Sequence, residues 1–389
     1  MSDASTGAGA TATVSTAAAR DLLVDLVSIP SPSGEEREAA ERLVAFFEAH
    51  DRDAWLDEVG NVRAPADDAV LLTSHVDTVP GEIPVEVAES DEGEVLWGRG
   101  SVDATGPLAA MAAAAVRAGV SFAGVVREET DSAGARHLVA EREEPEAVVN
   151  GEPTGADGLA LGYRGFLPGT YVATSESGHT SRPEPNAVQH AMRWWARVED
   201  AFETDPYEPV FEQVTAKPVG VEGGFTADGL SVEATLEAQF RVPPGRSAGE
   251  VREVADGLLS AGTVTWSDPI PPVMASPRTP VARALRVAVR EAGGDPRLVR
   301  KTGTSDMNLY ADAWDCPMVT YGPGDSDLDH APDEHLALAE FDRAVAVLSL
   351  AAADLADREG AGGGGVGEDG ERADGDGGER ADDDGGDGA

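Results

Sequence analysis

Five short segments of the sequence place acidic and histidine side chains directly after apolar runs or in glycine-rich turns. They are Ser74-His75-Val76-Asp77, Gly98 to Asp103, Glu128-Glu129, Gly151-Glu152-Pro153 and the loop Gly322 to His330. Imidazole nitrogens and carboxylate oxygens are the ligands that Zn²⁺, Co²⁺ and Mn²⁺ take in hydrolytic sites, with one position left for water or substrate. Two histidines and three carboxylates suffice for two metal ions if one carboxylate bridges them, and a further acid could then act as general base.

The spacing within two of these segments indicates a division of roles. His75 and Asp77 stand at i and i+2, so on extended chain their side chains point to one side, and one could orient the other. Glu128 and Glu129 are adjacent, which on extended chain turns them to opposite faces and suits one ligand and one general base. A single acid in so acidic a chain is most often a solvated surface residue. The interpretation therefore depends on the whole ordered set.

Buried strands and helices are expected to position these segments. The apolar runs 69–74, 124–127, 147–149 and 317–321 are typical of buried strands, and 107–118 predicts a helix. The alternation of strands with helices predicts the α/β class, with a mostly parallel sheet flanked by helices. Since functional groups collect past the carboxyl ends of such strands, we expect the five segments to converge there.

The middle of the chain has a different pattern. Residues 159–271 contain half-buried strand alternation and helix candidates, which predicts an inserted α+β lid or dimerisation domain. The catalytic domain is then formed by residues 17–158 and 272–358. Residues 1–16 and the acidic, glycine-rich residues 359–389 are expected to be disordered.

The composition excludes several classes of partner. The chain has 29 Lys+Arg against 72 Asp+Glu, a formal net charge of −43. Such a surface disfavours nucleic acid and anionic membranes. Only Lys217 and Lys301 are lysines, and we interpret this acidic surface as adaptation to a salty, halophilic cytoplasm, where the Debye length falls to roughly 3 Å. The lone Cys316 excludes an intramolecular disulfide, and neither a signal-peptide pattern nor a membrane-spanning run is present, so we expect a cytoplasmic protein.

As an ordered set, these segments resemble the aminoacylase/carboxypeptidase family of co-catalytic zinc hydrolases, which includes acetylornithine deacetylase and succinyl-diaminopimelate desuccinylase. The resemblance covers about residues 17 to 356. It implies two divalent ions, Zn²⁺ or Co²⁺ with Mn²⁺ as a further possibility. The implied ligands are His75 and Glu152 for one ion, Glu129 and His330 for the other, and Asp103 as the bridge.

The same resemblance implies roles for the surrounding residues. Asp77 would orient His75, Glu128 would be the general base, and the peptide bond after Asp103 is often cis. In the lid, His179 would stabilise the oxyanion, often from the partner subunit of a lid-mediated homodimer.

Substrate contacts are also implied. Arg241, in Gln239-Phe240-Arg241, resembles the lid arginine that meets a substrate carboxylate, a task that suits a fixed fork of donors. Thr304 lies in a glycine-rich substrate loop, residues 303–306, and Arg164 is expected to contribute to substrate binding.

Within the family, three segments look like the carrier-linked lysine/ornithine hydrolases: Gly162 to Gly165, Lys301 to Asn308, and Gly322 to Glu334. Those enzymes release lysine or ornithine from the C-terminal glutamate of a small acidic carrier protein of LysW type, by cutting an amide between its γ-carboxyl and the released α-amino group. We therefore predict such an amidohydrolase of lysine or arginine biosynthesis.

Other functions stay open at this point. An N-acetyl-lysine or N-acetylornithine deacetylase would use the same chemistry, as would a general dipeptidase or carboxypeptidase. The choice between lysine and ornithine depends on about one methylene of pocket depth, worth only ~1–3 kcal/mol. A catalytically inactive relative is disfavoured, because a structural metal site has no need of Glu128 beside Glu129.

Overall fold

The computed structural model describes residues 14–90 and 93–362. Its helices are α1 Thr16–Val27, α2 Arg37–Glu48, α3 Thr105–Ala118, α4 Ala133–Glu141, α5 Ala187–Ala201, α6 Ala248–Gly257, α7 Pro280–Glu291, α8 Asp306–Ala313 and α9 Leu338–Gly362. Its strands are β1 Trp55–Leu56, β2 Val62–Ala64, β3 Asp67–His75, β4 Glu86–Ser90, β5 Gly93–Trp97, β6 Val120–Val125, β7 Val148–Gly151, β8 Gly158–Tyr163, β9 Gly165–Glu176, β10 Thr215–Phe225, β11 Ser231–Val242, β12 Thr263–Trp266, β13 Val273–Met274, β14 Arg297–Lys301, β15 Met318–Thr320 and β16 His335–Ala337.

A nine-stranded sheet of order β1-β2-β6-β3-β7-β15-β8-β13, with β14 paired to β8, forms the centre of the protein. The strands β6, β3, β7 and β15 pair in parallel, whereas β1, β2 and β13 pair antiparallel towards the edges. In β3 every residue from Ala69 to His75 is buried, because helices cover both faces of the sheet. The predicted α/β class with a mostly parallel central sheet is confirmed.

The helix α3 is the most deeply buried helix in this layer. Its residues from Thr105 to Val116 are all buried, and half of them are alanine, so α1 and α9 can pack closely against it in the same core. Gly119 ends α3 in the left-handed conformation with φ 70°, which a glycine adopts without a Cβ clash.

A second, four-stranded antiparallel sheet of order β10-β11-β9-β12 lies within the range predicted for the lid. Helices α5 and α6 pack on it around their own core, which contains Tyr171, Trp194 and Phe240. The predicted boundary at residue 159 falls inside β8, which pairs with β14 and β15 in the central sheet. The chain passes from one sheet to the other at Arg164 and returns after the bridge between Phe166 and Ile270.

The structure differs from the predicted disorder near both ends. Val14 is buried, and its carbonyl accepts a hydrogen bond from Arg117 Nε at 2.9 Å, while Ser15 caps α1. Residues 359–362 continue α9. The remaining residues of those two predicted segments, 1–13 and 363–389, lie outside the described chain. No helix within residues 14–90 and 93–362 combines the length and apolar character needed to cross a membrane.

Candidate metal centre and active-site cleft

The carboxyl ends of β3, β6 and β7 open into a cleft of about 660 Å³ that the four-stranded sheet closes from the other side. The predicted ligands and base that line this cleft are Asp103, Glu128, Glu129, Glu152 and His330. His75, at the end of β3, is 1% exposed and contacts Asp103. The structure thus brings the five predicted segments to one place.

Asp103 lies between two histidines. Its Oδ1 is 3.2 Å from His75 Nε2, and its Oδ2 is 3.2 Å from His330 Nε2, which is also 3.1 Å from Glu129 Oε1. His75, Asp103 and Glu129 offer ligand atoms that all lie within 4.8 Å of one another. Ligand atoms ~2.1 Å from a tetrahedral ion stand roughly 3.3 Å apart, so these spacings fit metal coordination.

The charges of the cleft also fit divalent cations. Burial, together with the neighbouring carboxylates, raises the pKa of Glu128 and of Glu152 well above the ordinary value. Burial and the charge of Asp103 raise the pKa of Asp329 to about 8. Hydrogen bonds that the imidazole donates to the carboxylates of Asp103 and Glu129 raise the pKa of His330 to about 10. A divalent cation would relieve this crowding of negative charge and reverse these shifts.

Asp77 organises the centre in two ways. The Nδ1–H of His75 donates to the backbone carbonyl of Asp77 at 2.8 Å, which turns Nε2 towards Asp103. The Asp77 carboxylate accepts the backbone N–H groups of Glu128 and Glu129 at 3.0 and 3.1 Å, and the Ser33 hydroxyl at 2.6 Å. Asp77 therefore orients His75 and also fixes the backbone of the segment that carries Glu128, the candidate base.

The predicted strand over 124–127 ends early, which changes the geometry of the two glutamates. β6 stops at Val125, and Arg127 adopts a left-handed φ of 65° that starts a turn. Glu128 and Glu129 lie in this turn rather than at alternating strand positions, because a single carboxylate, that of Asp77, holds both backbone N–H groups. Both glutamates line the cleft.

Glu334 is a fully buried acid that the sequence reasoning missed as a functional residue. Its carboxylate accepts the backbone N–H groups of Gly100, Val102 and Asp103, and pairs with Arg99 at 2.8 Å. It therefore shapes the loop that presents Asp103, whose following peptide bond to Ala104 is cis, as the resemblance implies. Its place four residues after His330, a predicted ligand, was a local signal of a role near the site. The burial of Glu334, however, could not be read from the sequence.

The predicted substrate residues fall into two groups. Arg241 Nη1 donates to Thr304 Oγ1 at 3.1 Å, its guanidinium lies 4.6 Å from the centre of the Phe166 ring, and all three residues line the cleft. Arg164 is 5% exposed and is not among the described residues that line the cleft.

The position of Arg164 does not fit the expected substrate contact. Its Nε donates to the carbonyl of Thr302 at 2.8 Å, and its Nη1 donates to Thr215 Oγ1 at 3.0 Å and to backbone carbonyls of the 210–213 turn. Because these groups use its Nε and Nη1 donors, Arg164 connects the two sheets at their crossover and contacts the residue just before the predicted substrate loop 303–306. Lys301, for which the sequence predicted no substrate contact, does line the cleft.

His179 is not brought to the cleft of its own chain. It is exposed, its Nδ1 lies 2.7 Å from the Ser181 hydroxyl, and it is absent from the described residues that line the cleft. The predicted oxyanion role therefore requires either a movement of this segment or a second subunit.

Comparison with known proteins places this geometry in a family. Residues 71–354 match the model of the peptidase family M20/M25/M40. The [LysW]-lysine hydrolase of Deinococcus radiodurans is 39% identical over 355 residues, which cover 86% of this chain and 96% of that protein. The putative [LysW]-lysine/[LysW]-ornithine hydrolase of Thermococcus kodakarensis is 36% identical over 333 residues, which cover 84% of this chain and 89% of that protein.

Solved structures share the fold. The M20 family metallo-carboxypeptidase Sso-CP2 of Sulfolobus solfataricus has a TM-score of 0.72 at 18% identity, covering 87% of this chain and 99% of its own. A tripeptidase of Staphylococcus aureus has a TM-score of 0.73 at 20% identity, covering 89% of this chain and 100% of its own. Together with the matched family model and the identities above 30%, these findings confirm the resemblance seen in the sequence. The chain belongs to the peptidase family M20/M25/M40.

Proposed function

We propose that this chain is a dinuclear-metal amidohydrolase that releases lysine or ornithine from the C-terminal glutamate of an acidic, LysW-type carrier protein. The observation that carries the metal chemistry is the position of Asp103, with one carboxylate oxygen towards each of His75 and His330. The substrate follows from relatives that carry the names [LysW]-lysine and [LysW]-ornithine hydrolase and match most of this chain.

In this proposal the predicted ligands hold two ions. His75 and Glu152 would hold one, Glu129 and His330 would hold the other, and Asp103 would serve as the ligand that both share. Mixed imidazole and carboxylate ligands suit Zn²⁺ and Co²⁺, with Mn²⁺ as a third candidate. When bound, such a pair polarises the scissile carbonyl and lowers the pKa of water.

Glu128 is the proposed general base. Hydrolysis joins a water oxygen to the carbonyl carbon and breaks the C–N bond, so one proton must leave the water and one must reach the departing amine. Glu128 lines the cleft beside the proposed ligands, where its carboxylate can take a proton from water and return it to the departing amine. Asp77 fixes its backbone through the N–H of Glu128 at 3.0 Å.

Arg241 and Thr304 are the proposed contacts to the released amino acid. A guanidinium presents a planar pair of donors that matches a carboxylate. Arg241 lines the cleft, and Thr304 Oγ1, at 3.1 Å from Nη1, is the one hydrogen-bond acceptor that its side chain has among the described residues.

We also propose a homodimer through the lid. β10 is an edge strand of the four-stranded sheet and exposes Val219, Val221 and Phe225, which are 53%, 65% and 65% exposed. Apolar side chains on an open edge favour pairing with another strand. His179 would then serve as oxyanion donor in the cleft of the partner subunit, which accounts for its absence from the cleft of its own chain.

The test is an assay of amino-acid release in molar KCl with metal-loaded enzyme. The substrates are the carrier protein bearing C-terminal lysine or ornithine, N-acetyl-lysine, N-acetylornithine and several dipeptides. Release from the carrier alone is the expected result, and the faster amino acid names the physiological substrate. Release mainly from the acetyl compounds or dipeptides would replace the proposal with a deacetylase or a peptidase.

A further inference from the structure

The cleft holds two cationic side chains that have no ion-pair partner among the described residues. Apart from His330, the basic residues that line it are Arg241 and Lys301, although six carboxylates line the same space. Two cations close to these in the chain or the fold do have carboxylate partners: Arg99 pairs with Glu334, and Arg300 pairs with Glu212. Two unpaired cations in a cleft lined by acids are available to anionic groups of a ligand.

The two cations approach from opposite sides. Arg241 comes from β11 of the four-stranded sheet, and Lys301 stands at the end of β14 in the central sheet. A substrate bound between the two sheets therefore meets one cation on each side.

The Lys301 ammonium is held in place beside the proposed centre. Its Nζ donates to the backbone carbonyl of Pro153 at 2.6 Å, next to Glu152, and its backbone is paired with Tyr163 of β8. An ammonium has three donors, so two N–H groups remain for a ligand in the cleft. Its position is thus fixed relative to the candidate ligands, and its charge is free to bind.

The proposed substrate carries one carboxylate on each side of the bond that is cut. The released lysine or ornithine has an α-carboxylate next to the scissile nitrogen. An acyl group joined through the γ-carboxyl of a C-terminal glutamate keeps its own α-carboxylate, which an acetyl group lacks. Two carboxylates on opposite sides of the scissile bond call for a cationic side chain on each side, and the cleft has Arg241 on one side and Lys301 on the other.

We propose, on the basis of the function proposed above, that Lys301 binds the free α-carboxylate of the γ-glutamyl acyl group. Arg241 then binds the carboxylate of the released amino acid. Lys301 is thereby the residue that distinguishes a γ-glutamyl amide from an acetyl amide, and a substrate without the acyl carboxylate leaves the Lys301 ammonium without its ligand.

The experiment compares two substrates that differ in one group. One is lysine acylated on its α-nitrogen by the γ-carboxyl of N-acetylglutamate, and the other is the same compound with its glutamyl α-carboxylate converted to a carboxamide. The ratio of their kcat/KM values is measured for the unmodified enzyme and for Lys301→Gln and Lys301→Arg. The control is Arg300→Gln, in the same strand, where the side chain pairs with Glu212 outside the cleft. Bound metal is determined for every protein.

The unmodified enzyme should prefer the carboxylate compound by about 10- to 100-fold, the usual worth of a hydrogen bond to a charged group. Lys301→Gln should reduce that ratio to near one at unchanged metal content, Lys301→Arg should keep part of it, and Arg300→Gln should keep all of it. Equal losses on both compounds in Lys301→Gln would assign Lys301 a structural role and overturn the inference.

The two proposals fail in different ways. If the unmodified enzyme releases lysine from the carrier but does not distinguish the two compounds, the proposed function stands and the role of Lys301 is wrong. If it releases lysine from neither the carrier nor either compound, both are wrong.

Discussion

The carboxylate of Glu334 connects the loops that carry two candidate ligands, Asp103 and His330. Its Oε1 accepts the backbone N–H of Asp103 at 3.0 Å and that of Val102 at 2.8 Å. Glu334 itself follows His330 by four residues and is fully buried. Because one side chain fixes both segments, the separation of Asp103 from His330 does not depend on the flexibility of either loop.

Glu334→Gln should therefore weaken metal binding. The amide keeps the size of the side chain but turns an NH₂ group towards backbone donors, so at least one hydrogen bond to the Asp103 loop is lost. We expect metal affinity to fall by about 10- to 100-fold, the usual effect of removing a group that orients a ligand. Affinity would be measured by competition with a chelator.

Glu94→Gln is the control for this change, since Glu94 is a half-exposed acid that pairs with Arg20 and is not among the described residues that line the cleft. An unaltered affinity in Glu334→Gln, with the control also unaltered, would show that the Asp103 loop holds its shape without this carboxylate.

Glu128→Gln should abolish turnover while leaving metal binding intact. The amide cannot take a proton from water, and positioned general bases typically contribute 10²–10⁴-fold. The neighbour Glu129 provides a matched comparison, because Glu129 Oε1 lies 3.1 Å from His330 Nε2 at the candidate ligand cluster. Glu129→Gln should therefore lose metal as well as activity. Rates and metal content of both variants separate the two roles, and full activity in Glu128→Gln would remove it as the base.

Short-range pattern in the sequence was sufficient to predict the segments at the centre. His75 and Asp77 follow a run of apolar residues that is fully buried in β3, so their place at a strand end could be read directly. Glu152 follows β7 in the same way. Residues whose role depends on distant partners were not predictable. Glu334 bonds to backbone groups more than 230 residues away, and its place four residues after His330 does not show that these groups bury it.

Motif resemblance had a similar limit at Arg164. The segment was identified, but the direction of its guanidinium depends on Thr302 and Thr215, which are brought together only by the crossover between the sheets. The turn at Arg127 was also missed, since Val126 continues the apolar pattern of β6 although the backbone has already left the strand there.

His179→Ala should lower kcat by about 10²–10³-fold if the imidazole stabilises the oxyanion. Because His179 is exposed and does not line its own cleft within the described chain, the proposed dimer predicts complementation. In a mixed dimer of Glu128→Gln and His179→Ala subunits, one cleft has an intact Glu128 and receives an intact His179 from the other chain. Random mixing of equal amounts should restore about a quarter of the original activity.

Two results would contradict this prediction. A change confined to KM in His179→Ala would exclude an oxyanion role. A lack of recovered activity in mixtures shown by mass to contain hybrid dimers would place His179 in its own subunit's cleft after movement of the segment.

Cys316 should react slowly with thiol reagents in the folded protein. Burial and the nearby charge of Glu144 raise the pKa of its thiol to about 12, against an ordinary value of 9.0. The thiolate is the reactive form, and at pH 8 a rise of about three units leaves about a thousandfold less of it. Reaction with a chromogenic disulfide at pH 8 should therefore be slow in the folded enzyme and fast after denaturation. As pH rises from 8 to 10, the rate in the folded protein should increase about tenfold per unit without reaching a plateau, because the thiol is still mostly protonated. A plateau near pH 9 would show an ordinary thiol and contradict the half-buried environment that the structure assigns to Cys316.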